Sequence, residues 1–178
     1  MFLRAFKEKI KFRACKKLLK KGLDASPETV YRAKGISAVG CIVDLDVFEN
    51  TNAFYEFVGE FSLRHNAVKI IGYKKFSDNN SPYSTPVFSD KDLGWKGNIE
   101  NSYALEFLNR EYDLLVNYYT DDKLLLQLMT LNAKARLKVG FGSVDKNLND
   151  LILNIPIEDF QTFKEELGKY LRVLNEIK

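Results

Sequence analysis

The sequence is poor in the residues that build the commonest metal and cofactor sites. Its 178 residues include two cysteines and one histidine. That is too few for a four-ligand Cys/His zinc site, and a lone cysteine pair makes no disulfide framework. Nothing demands an oxidising compartment, so a cytoplasmic location is expected. No apolar run approaches the roughly 18–20 residues of a membrane span, and the N-terminus interrupts its apolar residues with Lys and Arg where a secretory segment would be continuous. Phosphate-cradling loops are missing as well. The turn after the first predicted strand reads VDLDVFENTNA, without G-x-G-x-x-G or G-x-x-x-x-G-K-(S/T), so nicotinamide, flavin and P-loop nucleotides are disfavoured. His65 falls in a predicted turn at the far edge from the expected site, so no Ser-His-Asp or Cys-His arrangement is expected.

What is present is a globular composition, 46% hydrophobic and 29% charged, that fits one soluble domain. The net charge of +3 hides a division. Residues 1–34 carry eleven Lys and Arg against three Asp and Glu, a balance of +8, which leaves −5 for the rest. In this leader Leu3, Phe6, Ile10, Ala14 and Leu18 recur at steps of three and four, predicting one stripe of a helix. Its other faces carry Arg4, Lys7, Lys11, Lys16, Lys17, Lys20 and Lys21, and Gly22 is expected to end it. Clustered cations attract polyanions without specific contacts, so Lys16, Lys17, Lys20 and Lys21 are candidates for holding an anionic partner. Ordinary packing of the stripe on the chain's own domain needs the same pattern.

From Gly35 the pattern changes. ISAVGCIV is a short continuous apolar run that suits a strand buried on both faces. A helix is expected over 50–64, with Phe54, Phe57, Val58 and Phe61 at helical spacing and Asn50 as its cap. AVKIIGY reads as a second strand. The order repeats: a short helix over 102–110, the strand DLLVNYY, a helix over 121–133 capped by Thr120, the strand ARLKVGF, and a fifth strand over 151–155. Pro156 then opens a last helix with Glu158 and Asp159 in its first turn. That helix places Phe160, Phe163, Leu167, Tyr170, Leu174 and Ile177 on one seam. Strands alternating with helices predict a Rossmann-like three-layer α/β domain over 35–178, with four or five mainly parallel strands, preceded by the basic helix and linker of 1–34.

In such a sheet, ligands gather at the carboxyl ends of the strands. The long segment over 74–100 falls there and holds the one tryptophan. Loops of this length are commonly binding elements or lids. Candidate ligand-binding residues on this rim are Asp44, Asp46, Asn50, Asp92, Trp95, Lys96 and Asp145. Asp44 and Asp46, two apart at a strand end, could hold Mg²⁺ through oxygen ligands or act as nucleophile and acid/base, as in glycosyltransferases or haloacid-dehalogenase-like phosphatases. They could equally terminate a buried strand.

Taken together, VGCIVDLD, FSDKDLGWKG, NREYDLLVNYY and KVGFGSVDKNLNDLIL resemble an uncharacterised family of small α/β proteins from flavobacteria and relatives, a resemblance that implies no activity. YDLLVNYYTDDKLLLQLMTLNAKARLKVGF is similar to part of the N-terminal domain of heptosyltransferase-like GT-B enzymes and implies Rossmann-like architecture. The expected function is noncatalytic binding, through the basic helix and the 74–100 loop, of a protein or other anionic partner, without specific nucleic-acid recognition. The alternatives are a small Mg²⁺-dependent enzyme acting on a phosphorylated or sugar-nucleotide substrate, and a protein attached to a membrane surface.

Overall fold

A computed structural model describes residues 2–25, 30–76, 85–95 and 98–178. Six strands form one all-parallel sheet: β1 Val39–Asp44, β2 Val68–Tyr73, β3 Val87–Phe88, β4 Glu111–Tyr118, β5 Lys134–Phe141 and β6 Leu151–Leu153. Their order is β3-β2-β1-β4-β5-β6. The chain therefore winds outward from β1 to one edge, returns to the centre at β4 and winds out to the other edge. Five α-helices accompany them among the described residues: α1 Phe2–Leu23, α2 Glu56–Glu60, α3 Ser102–Leu108, α4 Leu124–Asn132 and α5 Phe160–Val173.

The sheet divides the core in two because successive strand residues face opposite ways. Val39, Cys41, Val43 and Leu45 point into one cluster with Phe54, Phe57, Tyr118, Phe160, Phe163, Leu167 and Leu171. Its aromatic rings meet edge-on and stacked, Tyr118 lying 5.0 Å from Phe163 and 5.1 Å from Phe54. Ile42, Leu115 and Tyr119 point into the other cluster, with α3, α4 and the inner stripe of α1. Every residue from Leu124 to Thr130 is buried, the signature of a helix covered all round. The sheet covers one side of α4 and α1 lies against it from another. The two helices approach closely at Gly22, where an added Cβ would come within 2.3 Å of the Leu131 side chain.

Six parallel strands stand where four or five were expected. The additional one, β3, has two residues inside the segment read as a loop, too few for any periodicity to show. The helix expected over 50–64 is broken: a 3-10 turn at Thr51–Tyr55 precedes α2, and the chain leaves through Ser62 in the left-handed region (φ 54°). Asn50 makes no side-chain cap bond. Thr120 does not cap α4, which starts at Leu124 with Lys123 in the cap position. Asp159 caps α5, accepting from the Thr162 N–H. Of the seam expected on α5, Tyr170 and Leu174 are exposed and Leu171 is buried in their place.

The largest departure is in α1. Among its described side chains Cys15 and Leu19 are the buried ones, whereas Phe6 and Ile10 from the expected stripe are 60% and 45% exposed and Leu18 is exposed too. Ala14 alone of the four is half-buried; the side chain of Leu3 lies outside the described residues. The helix does pack on its own domain, but by a different face. No helix among the described residues is long and apolar enough to cross a membrane.

Candidate functional site

The reversal in strand order places the carboxyl ends of β1 and β4 side by side, the position where loops diverge and leave a crevice in sheets of this kind. Asp44 closes β1 there. Strand alternation puts it on the same side as Ile42, toward α4, and it is fully buried. A buried carboxylate demands a partner, and Lys123, at the start of α4, supplies one. Its Nζ lies 2.6 Å from Asp44 Oδ2 and 3.2 Å from Asp46 Oδ2. Backbone groups complete the arrangement: the Asp46 N–H donates to Asp44 Oδ1 at 3.1 Å and the Lys75 N–H to Asp46 Oδ2 at 3.2 Å.

The same ammonium stands 5.0 Å from the centroid of the Tyr73 ring at the end of β2, within range of a cation–π attraction. Tyr73 in turn donates its hydroxyl to Asp90 Oδ1 at 3.0 Å, in the turn after β3. One chain of polar contacts thus crosses the carboxyl ends of β1, β2 and β3 and the start of α4. The partners feel burial unequally. Asp44 has no solvent exposure, and burial pushes its carboxyl above the ordinary value despite Lys123. Lys123 is 22% exposed; burial alone would lower its pKa, but its bonds to Asp44 and Asp46 outweigh that and raise it. Burial, followed by the nearby Asp90, pushes the Tyr73 phenol up. Among the described residues no group of three or more His, Cys, Asp or Glu is placed to hold a metal ion.

The other predicted residues scatter. Asp92 faces inward, its Oδ2 accepting from the Ser89 N–H at 2.7 Å and from Asn101 Nδ2 at 3.2 Å. Asp145 accepts from the Asn147 N–H at 2.9 Å in the turn after β5. Asn50 is exposed, and Lys96 lies outside the described residues. Trp95 is 55% exposed. It follows Gly94, whose carbonyl receives the Cys15 thiol at 3.8 Å, so the tryptophan sits beside α1. Lys16, Lys17, Lys20 and Lys21 are all exposed, with Lys16 5.2 Å from the Phe12 ring centroid.

On α1, Phe6, Ile10, Arg13, Lys17 and Lys20 follow one another at alternating steps of four and three, which places them on one face. All five are exposed. The face is apolar in its first turns and cationic in its last. Sequence reasoning missed two things here. Lys123 was hidden because the helix was begun at Asp121, inside what is the rim loop. The true inner stripe of α1 was hidden because apolar residues occur all round this helix.

All-parallel strands in this doubly wound order define a Rossmann-type α/β domain. The chain belongs to a family of unknown function (DUF6913), whose model matches residues 7–174. No curated protein matches it.

Proposed function

We propose that this protein is a noncatalytic binding protein that captures an anionic partner through the outward face of α1. The observation that carries the reading is that face itself. A helix folded onto its own core for stability alone has reason to bury its large apolar residues, yet among its described side chains α1 buries Cys15 and Leu19 and leaves Phe6 and Ile10 on that face, and Phe12 and Leu18 to either side of it, exposed among lysines, arginines and Glu8. Clustered cations concentrate a polyanion at the surface, and adjacent apolar groups add contact area. The test is retention on immobilised polyglutamate at low salt. The wild type is retained, and replacing Lys16, Lys17, Lys20 and Lys21 by Gln abolishes retention; retention indifferent to those charges rejects the reading.

A second reading is favoured by the rim: a Mg²⁺-dependent enzyme acting on a phosphorylated or sugar-nucleotide substrate at Asp44 and Asp46. In its support, a buried carboxylate and a lysine meet at the switch point of the sheet. Against it, the Lys123 ammonium already bonds both carboxylates and would have to yield one to a metal. This reading expects Mg²⁺ together with a panel of phosphorylated metabolites to raise the melting temperature, and the shift to vanish with Asp44→Asn and Asp46→Asn. No shift in the wild type rejects it.

A further inference from the structure

We infer that the anionic partner of α1 is the surface of an acidic lipid bilayer. This rests on the reading of α1 as an anion-binding face and names the class of partner. The outward stripe is divided along its length: Phe6 and Ile10 in the first half, Arg13, Lys17 and Lys20 in the second, all exposed. A nucleic acid or a polyacidic peptide would reward the cations and leave two solvent-facing apolar side chains without a role. A bilayer surface rewards both, because large apolar residues enter the acyl boundary while lysines and arginines stay among acidic headgroups. The division also sets a tilt, with the first turns of the helix dipping inward and its last turns held at headgroup level.

The opposite side of α1 is fixed to α4 through Cys15, Leu19 and the close approach at Gly22. The body therefore rides on the bilayer with its helix lying along the surface and not crossing it.

The experiment uses the full chain with vesicles of phosphatidylcholine alone or mixed with phosphatidylglycerol. It is read by co-sedimentation. The expected result is binding to the acidic vesicles, and not to those of phosphatidylcholine alone, that weakens with salt. Arg13→Gln with Lys17→Gln and Lys20→Gln weakens it by about a hundredfold. Phe6→Ser with Ile10→Ser weakens it by about tenfold or more while leaving the fold intact. Binding that survives the Phe6 and Ile10 changes overturns the inference, since it would be charge capture without insertion. If acidic vesicles do not bind but polyglutamate still retains the wild type and not the lysine variant, the bilayer is overturned and the anionic face stands. If neither binds, both readings fall.

Discussion

The first and last helices of this chain cover opposite faces of the same sheet and use their apolar residues differently. α5 buries Phe160, Phe163, Leu167 and Leu171 in the aromatic cluster beneath it, and Asp159 fixes its start. α1 is longer, yet it buries Cys15 and Leu19 and turns Phe6 and Ile10 outward. Apolar periodicity alone therefore does not say which way a helix faces. The cations decide: α5 carries acids and bases together on its polar side, whereas the outward face of α1 carries cations.

The contrast can be broken at several points. Phe163→Ala, emptying the centre of the ring cluster, is expected to cost about 3–5 kcal/mol in urea unfolding. An equal loss from Phe6→Ala would remove the distinction between the helices. Lys123→Met leaves Asp44 as a buried charge without its ammonium and is expected to cost about 3 kcal/mol. Adding Asp44→Asn should restore part of that loss, and no restoration would mean that the lysine matters through packing.

Leu19→Ala should cost about 2–3 kcal/mol if α1 truly seals α4, and nothing if the helix hangs free. Acid sensitivity sharpens the picture at the opposite rim. Asp113 is almost fully buried; burial alone would raise its pKa, but bonds from Ser37, Arg32 and the Ala38 N–H outweigh it and hold the carboxyl below its ordinary value. A depressed native pKa contributes stability that is present above the unfolded value, near 4, and is lost as pH falls through the native one. Asp113→Asn should therefore flatten the acid limb of a stability–pH curve; an unchanged limb would assign it to other groups. Smallest of all, Phe6→Ser with Ile10→Ser should move stability by no more than about 0.5 kcal/mol, since these side chains leave the core untouched.

Much of the architecture was legible in advance because buried parallel strands write short apolar runs: ISAVGCIV, AVKIIGY and DLLVNYY needed no structure to be read as strands, although their ends moved by one to three residues. β3 was illegible because two residues held by β2 carry no period. The site divides in the same way. Asp44 and Asp46 announced themselves by standing at the end of an apolar run, and both lie on the rim. Lys123 did not, because its role depends on where α4 begins, and boundaries follow from packing that the local sequence does not specify. The lysines of α1 were readable as a cluster, but the face they share with Phe6 and Ile10 depends on which stripe α4 claims.

The shielding of α4 has one more consequence. Its run LLLQLM would be a sticky surface if uncovered, and the cover is the very helix whose other side is offered outward. α1 cannot be handed over to a partner without baring those leucines, so whatever it grips must be gripped in place. Under the proposed reading the protein is then a fitting with a fixed attitude, whose hold is adjusted by ionic strength and surface charge in preference to any unlatching of its parts.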